Sequence, residues 1–329
     1  MDNKGKILIT GAAGFIGSHL TEQLVSAGHD VIAFDRYNSN NNWGWLEDSP
    51  IKNDIEVVLG DIRDYDSVYK AMKQCNSVFH LAALIGIPYS YVSPLAYIRT
   101  NVEGTYNVLE SAKNLELDQV IITSTSETYG SAQYTPIDEK HPLVGQSPYS
   151  ATKISADQLA ISYYNSFKLP TKIVRPFNTY GPRQSARAII PTVISQILSG
   201  NNLLKLGNLS PTRDLTFVLD TCAGFIEIYR SDKLFGEVTN IGMGAEISIG
   251  ELTKVIASIM EVEINFVSSE ERIRPGKSEV DRLLCDNTKI KNNTSWQPNY
   301  SLIKGLSEVI EWMKKPENIN HYKTEIYNV

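Results

Sequence analysis

The sequence predicts an α/β fold, a doubly wound parallel sheet followed by a smaller mixed α/β C-terminal region. Three observations carry this prediction. Short β-branched apolar runs alternate with helical periodicity through the first half of the chain, and a glycine-rich turn leads from the first run straight into the first helix. After Gly181 the alternation loosens into shorter elements, separated by loops rich in Asn, Gly and Pro. Strands that are apolar on both sides need helices on both faces of their sheet, and right-handed crossovers place them there.

Five runs read as buried parallel strands: Lys6–Thr10, Asp30–Phe34, Ile55–Leu59, Ser77–Ala82 and Gln119–Thr123. Helical spacing predicts helices over Phe15–Ala27, Asp66–Gln74 and Leu95–Asn114. The last has Pro94 near its start, where a missing N–H does no harm. A helix over Pro148–Phe167 then leads to a sixth strand, Thr171–Phe177. Beyond Gly181, helices are expected at Ile190–Leu198, Asp220–Tyr229, Ile249–Met260 and Leu302–Met313, with the chain returning at least once to the first unit.

The 329 residues are 42% hydrophobic and 21% charged, a balance that fits a compact globular chain and excludes disorder. A net charge of −6 argues against a broad basic surface, so no nucleic-acid partner is expected. Cys75, Cys222 and Cys285 are odd in number and far apart. That excludes a disulfide framework and a zinc site of the usual spacing, leaves no metal expected, and fits a reducing compartment. The N-terminal glycines come too early for a signal peptide. The stretch from Ser77 to Ile98 carries no charge, yet Pro88 and Pro94 interrupt it, so no membrane span is expected and the location is read as cytoplasmic.

The turn Thr10-Gly11-Ala12-Ala13-Gly14-Phe15-Ile16-Gly17 has the form of a dinucleotide site. Gly11 permits the tight bend, Gly14 lets a pyrophosphate approach the backbone, and Gly17 lets the helix pack on the strand. Asp35 ends the second strand 18 residues past Gly17, where a carboxylate can bind the adenosine ribose. It favours NAD over NADP, whose 2′-phosphate would meet a like charge. Arg36 beside it is open to two readings, packing on the adenine or accepting that phosphate. Residues 1–180 are therefore read as a dinucleotide-binding domain to which later segments return, and 181–329 as the substrate region.

Tyr-x-x-x-Lys occurs five times in this chain, where chance predicts about one, so the spacing alone decides nothing. Only Tyr149/Lys153 opens the helix between the fifth and sixth strands, where strand C-termini gather around a nicotinamide. The Lys153 ammonium and an oxidised nicotinamide are expected to lower the phenol's pKa, so that Tyr149 acts as a base toward a sugar hydroxyl.

These motifs, with Gly60-Asp61, His80-Leu81-Ala82-Ala83, Asn101 and Arg175-Pro176-Phe177-Asn178, resemble the extended short-chain dehydrogenase/reductases over essentially the whole chain. The resemblance implies a Rossmann sheet, NAD that stays bound and is regenerated each turnover, and a nucleotide-diphosphate sugar as substrate. It also implies a homodimer formed by the helices around Leu95–Asn114 and Pro148–Phe167. Asp61 and Ile62 would edge the adenine and Ala82–Ala83 would line the nicotinamide half. Phe15, Ile16, Asn101, Thr123 and Pro176 would complete the cofactor contacts. His80, ending a buried strand, reads as a core residue.

The subfamily rests on Ser124-Thr125-Ser126-Glu127-Thr128-Tyr129-Gly130. The position of Glu127 is acidic in the family's 4,6-dehydratases and normally not in its 4-epimerases. Ser126 stands where the deoxythymidine-sugar type commonly has Asp, and Thr-Ser-Glu is similar to the GDP-mannose 4,6-dehydratases. In that chemistry Tyr149 takes the C4 hydroxyl proton as C4 is oxidised, and Thr125 hydrogen-bonds the C4 oxygen. Glu127 removes the C5 proton and later returns it. With Ser126 in place of a carboxylic acid, either Glu127 or a water protonates the leaving C6 hydroxyl.

By the same resemblance, Asn178 contacts the substrate diphosphate. Arg213 and either Arg274 or Arg282 bind the nucleotide, a task that suits the paired donors of a guanidinium. Arg187 is a further substrate cation. Asn42-Trp43-Gly44-Trp45-Leu46 and Ile87-Pro88-Tyr89-Ser90-Tyr91 resemble bacterial dehydratases of legionaminic acid synthesis, which act on nucleotide-linked N-acetylglucosamine, and GDP is a candidate carrier. Packing is the alternative reading of the Trp pair. Three rivals stand beside the dehydratase: an NDP-glucuronate decarboxylase with Arg183 or Arg187 on the sugar carboxylate, a 4-epimerase, and an NAD-sensing protein without catalysis.

Overall fold

Twelve strands and twelve helices are set out in a computed structural model that describes residues 5–269, 272 and 276–323. The strands are β1 (Lys6–Thr10), β2 (Val31–Arg36), β3 (Glu56–Gly60), β4 (Cys75–His80), β5 (Gln119–Thr123), β6 (Thr171–Pro176), β7 (Asn178–Tyr180), β8 (Leu203–Leu206), β9 (Thr212–Phe217), β10 (Val238–Ile241), β11 (Glu246–Ser248) and β12 (Asn265–Ser268). Seven of them form one parallel sheet in the order β3-β2-β1-β4-β5-β6-β10. The strand order reverses between β1 and β4, and that switch point opens a crevice at the strand C-termini.

Alternation along β1 shows why the sheet needs two helical layers. Ile7 and Ile9 belong to a core with Leu20, Leu24, Phe225 and Trp296, whereas Leu8 packs on the opposite face with Val68, Val108 and Ala160. The first face is covered by α1 (Phe15–Ser26) and a helix from the second half, described below. The second is covered by α2 (Tyr65–Met72) and the helices that follow β4.

Those helices differ from the single helix expected over Leu95–Asn114. A short helix, α3 (Ile87–Val92), comes first, and then α4 (Pro94–Tyr97), a wider π-type turn over Ile98–Glu103, and α5 (Gly104–Asn114). Six residues are too few to show a period, which hid α3. The π turn admits Asn101 into the interior at 1% exposure. The following helix, α6 (Pro148–Phe167), matches its expected bounds. Its N-cap Ser147 and Ser150 bond reciprocally, with Pro148 at the first position, so two orphan N–H groups are satisfied.

In the second half, α7 (Ile189–Leu198), α8 (Val218–Arg230), α9 (Ile249–Ile259), α10 (Thr288–Asn293), α11 (Leu302–Met313) and α12 (Pro316–Ile319) accompany two small sheets, β7-β9-β11 and β8-β12. Their core joins Ile190, Leu204, Phe217, Leu252 and Leu306. The chain does return to the first sheet: β10 extends it beside β6, and Phe225 and Ile228 of α8 bury against the α1 layer. Among the described residues no helix is long and apolar enough to cross a membrane, and no cluster of His, Cys, Asp and Glu could hold a metal. All three cysteines are free and buried.

Candidate active site

A cleft of about 1140 Å³ runs along the strand C-termini, from Gly11, Gly14 and Asp35 at one end to Arg213 and Leu206 at the other. That exceeds what one small ligand ordinarily needs, and suits two. Gly11 has φ +72°, and a Cβ there would lie 2.8 Å from the Ala82 nitrogen. A Cβ on Gly17 would sit 2.0 Å from the Gly11 carbonyl oxygen. Gly14 caps α1 with no side chain bonded to the helix's first N–H groups, and a Cβ there would find only Gly11 O within reach. The uncapped, accessible helix start fits a dinucleotide pyrophosphate.

Asp35 faces this turn, accepting Ala13 N–H at 2.8 Å and Arg36 N–H at 2.7 Å. Phe15, Ile16, Arg36, Asp61, Ile62, Ala82, Ala83, Thr123 and Pro176 line the cleft with it. Asp61 is gripped in a forked pair by Arg63, whose hydrogen bonds hold its carboxyl below the usual range despite partial burial. Asn101 departs from the cofactor role expected of it. It does not line the cleft; its amide takes both backbone groups of Leu84 at 2.8 and 3.0 Å and reaches Thr152 Oγ1 at 3.1 Å. The side chain therefore fixes the loop after β4 from behind.

His80 organises the same loop. Thr105 Oγ1 donates to Asn101 O, so it accepts from His80 Nε2 at 3.1 Å. Nδ1 then accepts from Thr10 Oγ1 at 2.7 Å, and Thr10 Oγ1 accepts Ala82 N–H at 3.2 Å. Burial pushes His80 down to about 3, helped by the Lys153 charge. The fold holds the ring neutral, whereas the unfolded chain takes up a proton below about pH 6.5. Its contribution is complete above that pH and is lost as pH falls toward 3, on the order of 5 kcal/mol. Urea unfolding followed across this range is expected to show a steep acid loss of stability, with a shallower slope in His80→Asn.

Beyond β5 the chain turns once over Ser126–Tyr129, with Thr125 as N-cap accepting Glu127 N–H at 3.3 Å. Thr125, Ser126, Glu127, Tyr149 and Lys153 all line the cleft. Burial pushes the Tyr149 phenol well above its ordinary value; the Thr125 hydroxyl works downward and the Glu127 charge upward. Among the protein's own groups, burial thus outweighs any lowering by Lys153. The Lys153 ammonium is spent on the Thr123 carbonyl at 2.6 Å, and desolvation lowers its own pKa against the pull of Asp157.

At the other end, Asn178, Arg187 and Arg213 line the cleft. Asn178 Oδ1 is buried with no hydrogen-bond partner among the described residues, as befits a group awaiting a ligand. Arg213 is 8% exposed and reaches Thr212 O and Glu279. Arg187 donates to Ser185 Oγ at 3.1 Å, and a Cβ on Gly86 would stand 2.3 Å from its Nη1. Arg274 lies outside the described residues. Arg282 is turned to the surface in a forked pair with Glu246, and Arg183 is tied to Glu22 away from the cleft. Arg272 lines the cleft instead, a residue that sequence reasoning missed because no motif surrounds it.

The two distinctive stretches divide. Trp45 packs edge-on against Trp312 and His321, and its backbone N–H donates to Ala13 O at 3.1 Å; Trp43 lies under Lys52. The Trp pair is packing. Ile87, Pro88 and Tyr89 line the cleft, and Tyr91 hydrogen-bonds Ser278 at 2.5 Å.

The sheet order, the glycine turn and the Tyr149–Lys153 pair together define an extended short-chain dehydrogenase/reductase. Residues 8–309 match the family described as GDP-mannose 4,6 dehydratase, and the chain belongs to that family. It is 34% identical over 325 residues to UDP-N-acetyl-alpha-D-glucosaminuronate decarboxylase of Bacillus cytotoxicus, covering 96% of this chain and 99% of that one. Against a dTDP-glucose 4,6-dehydratase of Streptomyces antibioticus it is 31% identical over 315 residues, covering 94% and 92%. The crystal structure of a dTDP-glucose 4,6-dehydratase from Streptomyces venezuelae with NAD bound has a TM-score of 0.87 and 28% identity, covering 97% and 99%.

Proposed function

We propose that the protein is a nucleotide-sugar 4,6-dehydratase that converts an NDP-N-acetylglucosamine to its 4-keto-6-deoxy sugar. The cofactor is NAD, held by the Gly11–Gly17 turn and Asp35. One observation supports the dehydratase reading above the 4-epimerase: Glu127 shares the cleft with Tyr149, on the turn that also presents Thr125.

When bound, NAD would supply a hydride acceptor for C4 and, once reduced, a hydride donor for C6, and while oxidised a positive charge near the phenol. The chain's own groups move the protons. Tyr149 receives the C4 hydroxyl proton, with Thr125 bonded to the same oxygen. Once C4 is a ketone the C5 proton is acidic, and the Glu127 carboxylate removes it. Ser126 carries no acidic proton, so Glu127 then delivers that proton to the departing C6 hydroxyl and, recharged from solvent, returns one to C5 as C6 is reduced. Asn178, Arg213 and Arg187 hold the diphosphate, and the Ile87–Tyr89 wall faces the sugar. The resemblance to legionaminic-type dehydratases favours the acetamido sugar and GDP as carrier. A homodimer through α5 and α6 would cover Leu95, Ile98, Tyr106 and Phe167, which are about half exposed.

A decarboxylase is the second reading, favoured by Arg187, a cleft guanidinium whose side-chain partner among the described residues is a serine hydroxyl. It is free to meet a sugar carboxylate. A panel of UDP-, GDP- and dTDP-linked sugars assayed in heavy water separates the two. Dehydration is expected to give a 4-keto-6-deoxy product with deuterium at C5. Release of CO₂ from an NDP-uronate would replace this reading with the second, and inversion at C4 without exchange would replace both.

A further inference from the structure

Beneath the catalytic turn lies a charge pair that the chemistry above does not use. Asp157, one helical turn after Lys153 on α6, is 0% exposed, and Arg175, near the end of β6, is 1% exposed. Asp157 Oδ2 accepts Arg175 Nη2 and Ser124 Oγ, both at 2.6 Å, while Arg175 Nε donates to Ser124 Oγ at 3.2 Å. The three groups close a triangle between β5, β6 and α6. The Arg175 guanidinium also lies 4.5 Å from the ring centre of Tyr129, the residue that ends the turn carrying Glu127. Ser124 before the turn and Tyr129 at its end thus rest on one ion pair, and Tyr129 is further tied to Asn240 at 2.8 Å.

Stability does not account for such a pair. Two fully desolvated charges are expensive, and apolar replacements of similar volume are often neutral or better. What the pair supplies is a fixed geometry among three elements. We propose that Asp157, held by Arg175, is a positioning residue for the reaction: through Ser124 it sets the Thr125–Glu127 turn at the distance from Tyr149 that proton transfer at the sugar requires. The inference rests on Glu127 acting at C5. Asp157 Oδ1 has no hydrogen-bond partner among the described residues, which leaves its charge directed at its neighbours, and that charge favours the protonated form of Lys153.

Two variants test it. Ser124→Ala removes the strut and leaves the ion pair; Asp157→Leu with Arg175→Met removes the pair without stranding a charge. Each is measured for folding, NAD retention, kcat and KM, and for C5 deuterium exchange relative to C4 oxidation, read as reduced cofactor. The expected result is a folded, NAD-loaded protein with unchanged KM and C5 exchange lowered about 10²-fold, the effect of a small misplacement, with C4 oxidation less affected. A wild-type ratio of exchange to oxidation in the folded variants would overturn the proposal. Should the double variant not fold, Ser124→Ala decides alone. Glu127→Gln run alongside keeps the two ideas apart. If it retains exchange, the role of Glu127 fails; if it loses exchange while Ser124→Ala does not, only the positioning role fails.

Discussion

Glu127→Gln is expected to lower formation of the dehydrated sugar by about 10²–10⁴-fold, the range a single general acid–base group supplies. Gln keeps the length and shape of the side chain, and the bond from the residue-127 amide to Thr125 Oγ1 involves only its backbone. The turn after β5 therefore survives the change. Tyr149 and Thr125 remain in place for the first step, so C4 is still oxidised slowly and the cofactor collects in its reduced form. Absorbance of the reduced nicotinamide and mass analysis of the sugar check both halves of the expectation. Dehydration at the wild-type rate would remove Glu127 from the mechanism.

Gly17→Ala is expected to have the second largest effect, on the cofactor and on the fold together. The added methyl would lie 2.0 Å from the Gly11 carbonyl oxygen and 2.9 Å from its carbon, both backbone atoms of the turn. Helix and turn must separate to admit it, and overpacking of this kind costs about 1–3 kcal/mol. The same displacement moves the first N–H groups of α1 away from a bound pyrophosphate. A loss of about 1.4 kcal/mol in binding is tenfold in affinity. The purified variant should carry less NAD and melt earlier, with added NAD restoring part of the melting temperature. A variant as stable and as fully loaded as the wild type would show that the turn does not clamp the phosphates.

The sheet was legible because its signals are local. Each buried strand is a short apolar run, and the glycine turn announces both β1 and α1 within a dozen residues. The same holds for Asp35, Glu127, Tyr149 and Lys153, whose places follow from counting along strands and helices. What failed was what depends on the third dimension. Asn101 looked like a cofactor contact, but the π turn carries it inward to Leu84 and Thr152. Arg274 and Arg282 could not be told apart by sequence and Arg272 went unmarked; Arg282 meets Glu246 on the surface, and Arg272 reaches the cleft. The phenol was expected to be acidified by Lys153 and an oxidised nicotinamide together. The opposing desolvation was not legible, because depth of burial has no sequence period.

The loop that follows β2 has a double attachment. The backbone of Trp45 is bonded to Ala13 inside the phosphate turn, while its indole is wedged between Trp312 and His321 near the far end of the chain. The ribosome delivers these two anchor points more than 260 residues apart. The loop beside the phosphate turn is thus anchored by α11 and by the turn after α12, and a nascent chain that has completed its first sheet still lacks that anchor.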